Sequence, residues 1–287
     1  MEKFGGILMF DRREKNAEIF QDTVRQYRTD NELKDAIKKS IVNQVFIGAD
    51  ESYKINEGAK KAGKVLVTGA KTLEAGQKYA KQGKKVCVLN FASATNPGGG
   101  VKNGSSAQEE SLCRCSTLYP CLNQMYDVFY QPHRNAHNAL YNDDCIFTPG
   151  VKVFKADGDF AESLPENEWW NVDVITCAAP NLRAVPSNAM NPHAGKKADI
   201  SNDDLRELLR KRIGRIFAVA INSGADALVL GAFGCGAFRN PPKLVAEIFE
   251  EYTIKYRYCF DVIEYAVYHR EHEKENYEAF LVAMKEM

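Results

Sequence analysis

From about Arg12 to Asn43, charged residues alternate with Ile19, Val24, Tyr27, Leu33, Ile37 and Ile41 at helical spacing. The polar cluster Thr29-Asp30-Asn31 interrupts this run, so the pattern predicts two helices. Short apolar, largely β-branched runs follow at Val65–Val67, Val86–Leu89, Val151–Phe154, Val172–Ile175 and Ala227–Leu230, and again between Phe260 and Val267. These have the length of buried strands, and helical segments alternate with them. The clearest helix starts at Ser201, whose hydroxyl suits a cap, with Asp203 and Asp204 near its positive end. Leu205, Leu208, Leu209, Ile213, Ile216, Phe217 and Ala220 form its apolar side. Arg206, Arg210, Lys211 and Arg215 read as solvated charge on the other.

Strands alternating with helices predict a mostly parallel sheet covered on both faces, with ligands bound beyond the carboxyl ends of the strands. Two glycine-rich segments sit at such ends. One follows Leu89, the other follows Leu230, and together they form opposite walls of one expected cleft. The polar stretch from about Ala178 to Ile200 contains proline and lacks periodicity, so it is expected as a surface loop near that cleft.

Composition narrows the function. The 287 residues carry 38 acidic and 38 basic side chains, a formal net charge of zero, so no basic stripe suggests a non-specific polyanion binder. Sequence-specific nucleic-acid binding is not expected. No Pro/Gly/Ser-rich linker divides the chain, which favours a single domain over residues 1–287 with 1–45 as a helical extension packed on it. No apolar run is long enough to cross a bilayer, and Met1-Glu2-Lys3-Phe4 lacks the features of a secretory signal. Eight dispersed cysteines do not resemble a disulfide framework and point to reduced thiols in the cytoplasm.

The chemistry concentrates in Asn90 to Gly100, where Asn96-Pro97 forces a turn into Gly98-Gly99-Gly100-Val101. Gln108-Glu109-Glu110 follows and opens a helix. The loop is neither a Walker loop, since no Gly-Lys-Ser/Thr follows, nor a complete dinucleotide fingerprint. Its backbone and that of Gly234-Cys235-Gly236-Ala237-Phe238 are expected to bind a diphosphate through their amides. Neighbours on a helix point in different directions, so Glu109 and Glu110 are expected to have different tasks. Cys113, Cys115 and Cys121 with His133 and His137 offer metal-ligand atoms, but Cys-x-Cys is a weak zinc pattern, and no metal is assigned. Cys235 lacks a local histidine to activate it and reads as a small side chain that lets a phosphate approach.

The triple glycine with Gln108-Glu109-Glu110 resembles the signature of the microbial-type poly(ADP-ribose) glycohydrolases. The resemblance extends to Asp173–Asn181 and Leu230–Pro242. It implies a macrodomain-like α/β/α fold of three layers around a mixed, mostly parallel sheet, recognition of ADP-ribose, and hydrolysis of the ribose–ribose bond without metal or cofactor. ADP-ribose or its polymer on modified macromolecules is then the ligand. The resemblance makes Glu110 the acid and base of the reaction and leaves Glu109 to orient the substrate. Asn96 is expected at the ribose next to the scissile bond, Gln108 to place the glutamates or the ribose, Phe238 to press on the ribose or wall off the diphosphate, and Phe233 or the loop after Ala179 at the adenine. Thr95 departs from the pattern, since relatives commonly carry a basic residue there. Two other readings share the same pocket: removal of single ADP-ribose groups from protein or nucleic acid, and binding without cleavage.

Overall fold

The computed structural model describes residues 3–51, 55, 61–187 and 191–287, and of 3–11 the backbone alone. Met1, Glu2 and residues 188–190 of the expected surface loop lie outside them. The strands are Val45–Ile47 (β1), Lys64–Thr68 (β2), Val86–Phe91 (β3), Cys145–Val153 (β4), Trp170–Cys177 (β5), Ala227–Leu230 (β6) and Val262–Ala266 (β7). They form one seven-stranded sheet in the order β1-β4-β5-β3-β6-β7-β2. The pairs β1–β4 and β4–β5 are antiparallel; the others are parallel. This is the mostly parallel sheet that the strand-helix alternation predicts, with the mixed character that the resemblance implies.

Alternate residues of each strand point to opposite faces, and both faces are buried. Cys87, Leu89, Ile175, Leu228, Leu230 and Ile263 pack against Asn202–Asn222 (α7), Pro242–Tyr256 (α8) and Glu275–Ala283 (α9). Val86, Val88, Val172, Val174, Val229 and Val262 pack on the opposite side. That layer contains Thr72–Ala80 (α3), Gln108–Cys115 (α4) and Leu118–Gln124 (α5), with Phe20 from the N-terminal helix. Fully burying one such side chain contributes about 1.5–3 kcal/mol, so these two clusters supply the main driving force for the three layers.

The N-terminal pattern forms Lys3–Thr29 (α1) and Asn31–Val42 (α2), separated at Asp30, whose carboxylate caps α2 by accepting from Leu33 N. Helix α1 closes on the turn that follows the triple glycine. Asn16 Nδ2 donates to Gly104 O at 3.1 Å, and Thr23 Oγ1 donates to Arg114 O at 2.6 Å. Gly104 has φ +71°, and a Cβ there would lie 1.8 Å from Arg13 O. Only glycine admits the helix this closely.

Three features depart from the sequence reading. Strand β1, only three residues long, is not among the expected strands, and β4 starts at Cys145 rather than Val151, running through Pro149-Gly150 with a register shift between Thr148 and Val151. Gly150 takes φ +66° there, and its N–H is held by Asp173 Oδ1 at 2.9 Å. Arg215 is not solvated charge. It is buried, and its guanidinium donates to the carbonyls of Gly48, Ala49 and Glu51, tying α7 to the segment after β1. Arg206 and Arg210 do lie at the surface of α7, paired with Glu247 and Glu251 of α8.

Candidate active site

A cavity of about 910 Å³ opens over the carboxyl ends of the parallel strands. It is lined by Asn96, Gly99, Gly100, Gln108, Glu109 and Glu110 from the β3 side, and by Gly234, Gly236, Ala237 and Phe238 from the loop after β6. The two glycine segments therefore face one space. Ala179 and Arg183 of the loop after β5, with Asn191, close a further wall.

The first loop is built around carboxylates rather than an empty anion cradle. Gly98 and Gly99 take φ +68° and +57°, and a Cβ on Gly99 would lie 2.5 Å from Glu110 Oε1 and 3.2 Å from Glu109 Oε2. The amides are spent within the loop: Gly99 N donates to Asn96 O at 2.9 Å, Val101 N to Gly98 O at 3.1 Å, and Gly100 N to Glu110 Oε1 at 2.9 Å. Gly98 N donates to Glu109. The expectation that both loops offer amides to a diphosphate is corrected in this respect. In the second loop the amides of Gly234, Gly236, Ala237 and Phe238 have no partner among the described residues, and a Cβ on Gly236 would meet nothing within 4 Å. The second loop is the open anion cradle.

Gln108 staples α4 to the end of β3. Its Oε1 accepts from Phe91 N at 2.9 Å, and its Nε2 donates to Leu89 O at 2.7 Å and to Thr72 Oγ1 at 3.1 Å. These bonds fix where the next two residues emerge. Glu109 turns inward, with Oε2 accepting from Ser93 N at 2.7 Å and Oε1 from Asn90 Nδ2 at 3.4 Å. Burial, then the neighbouring Glu110, holds the Glu109 carboxyl well above the usual carboxylate range, against the opposing bonds from Ser93, Asn90 and Gly98. Glu110 reaches the same loop through a different amide. Its Oε1 takes the Gly100 amide, whereas Oε2 is buried without a partner among the described residues. An unpaired carboxylate oxygen at the floor of a cavity can exchange a proton with a bound ligand.

Not every expected residue presents a side chain here. Val101 is fully buried in the core beneath α4, Gly98 turns toward Cys113 and Tyr119, and the Cys235 side chain packs in the α7–α8 core. Burial raises the Cys235 thiol to about 12, far from a nucleophilic thiolate. Phe233 is also fully buried, edge-on to Phe91, so it cannot serve as an adenine platform. Phe238 does line the cavity, tilted against Tyr141 at 6.1 Å between centroids. Cys113, Cys115 and Cys121 are buried, His133 packs between Phe129 and Tyr141, and His137 is exposed. Among the described residues, no three metal-ligating side chains group together.

Three further residues help to build the site. Tyr268 follows β7 at the cavity edge, 57% exposed, with the Lys71 ammonium 5.4 Å from its ring centroid. Arg134 lies on Gln131–Ala136 (α6) and donates to Thr95 O and Asn96 Oδ1. Asn240, buried, donates through Nδ2 to Pro180 O at 2.8 Å and Gly234 O at 3.0 Å, locking the second loop to the loop after β5. Tyr268 and Arg134 belong to no spacing pattern and are found only when separate loops meet; Asn240 lies within the Leu230–Pro242 segment, but its bridging role shows only in the fold.

The chain resembles known proteins over most of its length. A family model described as the catalytic domain of microbial-type PARG matches residues 15–156. The poly(ADP-ribose) glycohydrolase of Thermomonospora curvata superposes with a TM-score of 0.80 at 28% identity, over 95% of this chain and 100% of that one. The same enzyme bound to the inhibitor ADP-HPD gives 0.78 at 29% identity, over 94% and 99%. The poly(ADP-ribose) glycohydrolase of Deinococcus radiodurans in complex with ADP-ribose gives 0.73 at 31% identity, over 88% and 98%. No curated protein matches.

Proposed function

Because the chain belongs to the microbial-type poly(ADP-ribose) glycohydrolase family, we propose that it hydrolyses the ribose–ribose bond of poly(ADP-ribose) and releases ADP-ribose. The observation that carries this reading is the division of labour between the adjacent glutamates. Both Glu109 oxygens are engaged by the scaffold, whereas Glu110 keeps one buried oxygen free above the loop that holds its other.

The terminal ADP-ribose lies with its diphosphate on the open amides of Gly234, Gly236 and Ala237. Its adenine stacks on Tyr268 at the far end, and its distal ribose sits between Phe238, Asn96 and Glu110. Asn96 donates to a ribose hydroxyl, and Glu109 fixes the Ser93 backbone beside it. Protonated Glu110 gives its proton to the bridging oxygen as the bond from that oxygen to the anomeric carbon breaks. The resulting oxocarbenium-like ribose is then attacked by water, whose proton returns to the Glu110 carboxylate. The balance is one water consumed, one ribose hydroxyl released on each side, and the glutamate restored. Eight cysteines without a disulfide support a reducing compartment, and we assign the protein to the cytoplasm.

The deciding comparison is Glu110→Gln. An enzyme loses about 10²–10⁴ of its turnover, the usual share of a general acid and base, and keeps its affinity for ADP-ribose. If polymer processing is equal in the variant and the wild type, the acid and base is elsewhere or the protein only binds.

A further inference from the structure

The cavity does not end at Glu110. It continues past the triple glycine to Lys102, Tyr119, Asn123 and Tyr126, residues that belong to neither glycine-cleft wall nor to the Tyr268 end. Their position follows from the loop itself. Gly98 and Gly99 turn oppositely, so a Cβ on Gly98 would meet the Tyr119 ring at 2.8 Å, while one on Gly99 would meet Glu110 Oε1 at 2.5 Å. Tyr119 is therefore one peptide turn away from the carboxylate. Tyr126 begins the turn Tyr126–Tyr130 that leads directly into α6, whose Arg134 holds Asn96. The patch thus borders the part of the cleft where the Gly98 turn and Asn96 stand.

Its chemistry is that of nucleotide recognition. Tyr119 and Tyr126 are half-buried rings, Asn123 is an exposed amide, and the Lys102 ammonium stands 5.4 Å from the Tyr119 ring centroid. Ring faces accept a base by stacking, an amide reads its edge or a ribose hydroxyl, and an ammonium attracts phosphate. Breaking the ribose–ribose bond requires a neighbour: the departing hydroxyl belongs to the next unit of the polymer. That unit must leave from the side of Glu110 facing away from the terminal ADP-ribose.

We propose that Lys102, Tyr119, Asn123 and Tyr126 form a subsite for the second ADP-ribose unit, the one whose ribose hydroxyl departs. This rests on the glycohydrolase reading above. It makes polymer a better substrate than an isolated terminal unit without altering how that unit is held. Tyr119 also packs edge-on to Phe20 at 5.1 Å and touches the Gly98 turn, so substituting it would disturb the catalytic loop itself. Lys102, Asn123 and Tyr126 are the positions to test.

The experiment measures two quantities on Lys102→Ala, Asn123→Ala, Tyr126→Ala and the triple variant: steady-state kinetics on purified poly(ADP-ribose), and calorimetric affinity for ADP-ribose. The subsite predicts a KM for polymer raised about tenfold in the triple variant and severalfold in each single one, the scale of one lost stacking contact. The affinity for ADP-ribose stays within twofold. An unchanged polymer KM overturns the proposal. So does an ADP-ribose affinity that weakens in step with KM, because the patch is then only part of the terminal site or its scaffold. Thermal unfolding of each variant separates these outcomes from misfolding, and Lys102→Ala and Asn123→Ala alter exposed side chains should Tyr126→Ala be unstable. A wild-type protein that binds ADP-ribose but does not shorten polymer overturns the glycohydrolase reading instead.

Discussion

Arg134 donates from Nη1 to Asn96 Oδ1 at 3.1 Å and to Thr95 O at 3.2 Å, holding the residue that precedes the glycine turn from a different helix. With Oδ1 occupied, Asn96 offers its amide hydrogens; the contact of Nδ2 is a long one, 3.4 Å to Thr95 Oγ1. A basic group thus reaches the Thr95-Asn96 peptide from α6. Hydrogen bonds to a charged group contribute about 1.5–3 kcal/mol, so Arg134→Ala should lower kcat/KM on polymer by roughly tenfold or more. Arg134→Lys should recover part of that, since an ammonium is also a charged donor but sits on a side chain of different length and shape from the guanidinium whose Nη1 makes both bonds. Kinetics of the two variants side by side check this, and equal losses in both would leave Arg134 a merely steric role.

Gly99 and Gly236 are expected to respond in opposite ways to the same added methyl. At Gly99 the methyl would sit 2.5 Å from Glu110 Oε1 on a backbone with φ +57°; at Gly236 it would meet nothing within 4 Å. Gly99→Ala should displace the carboxylate and reduce turnover by about two orders of magnitude, comparable to losing a general acid. Gly236→Ala should keep its melting temperature and act mainly on ligand affinity, because its methyl enters the space assigned to the diphosphate. Melting curves and ADP-ribose titrations distinguish the two, and a Gly99→Ala enzyme with wild-type turnover would contradict the carboxylate-holding role of the loop.

Much of this architecture is legible in the sequence because its determinants are local. The apolar runs at 86–89, 172–175 and 227–230 are buried on both sides, so they announce central strands. Ser201 caps α7 as its position suggests, accepting from Asp204 N at 3.1 Å. Determinants set by distant segments are not legible in this way. Arg215 looks like any helix-surface arginine until the carbonyls of 48, 49 and 51 arrive beneath it, and β1 has too few residues to show alternation. The same holds within the site. Gln108-Glu109-Glu110 and the glycines mark the cleft, but whether a glycine amide faces a ligand or a neighbouring carboxylate depends on how two loops close. Tyr268 and Arg134 enter from separate elements with no shared spacing, and Asn240, though inside the Leu230–Pro242 segment, shows its bridge only when the loop after β5 arrives.

Glu109 should leave a signature in the pH dependence of stability. Its folded carboxyl is held well above the ordinary value near 4.5, principally by burial. Above that ordinary value the unfolded chain releases the proton while the folded chain retains it. The native state therefore binds more protons, and its stability falls as pH rises from about 4.5 until the folded carboxyl itself titrates. In Glu109→Gln this contribution is absent. The stability of the variant relative to wild type should thus increase with pH from about 4.5 upward, with a limiting slope of about 1.4 kcal/mol per pH unit. Urea unfolding of both proteins across this range gives the difference directly, and a flat or falling difference would mean that Glu109 is ionised in the folded protein. Activity should drop in Glu109→Gln at every pH, since an amide cannot reproduce both acceptor contacts to Ser93 N and Asn90 Nδ2.

Asn240 should separate binding from chemistry. Its buried amide bridges Pro180 O and Gly234 O, and a Cβ on Gly234 would lie 2.5 Å from Asn240 Nδ2 and 2.4 Å from the Ala179 side chain. The second loop is therefore set by this side chain, at a distance in sequence from the glutamates and through no contact with them. Replacement by alanine leaves two buried carbonyls without that donor, a loss of about 1–3 kcal/mol in stability. It also releases Gly234 to move, which loosens the amides assigned to the diphosphate. We expect Asn240→Ala to weaken ADP-ribose affinity and raise the polymer KM about tenfold, while kcat at saturating polymer falls no more than two- to threefold, because the geometry of Glu110 comes from α4 and Gly100. A kcat loss matching the KM change would show that the two loops are coupled, and that the anion cradle and the acid cannot be varied independently.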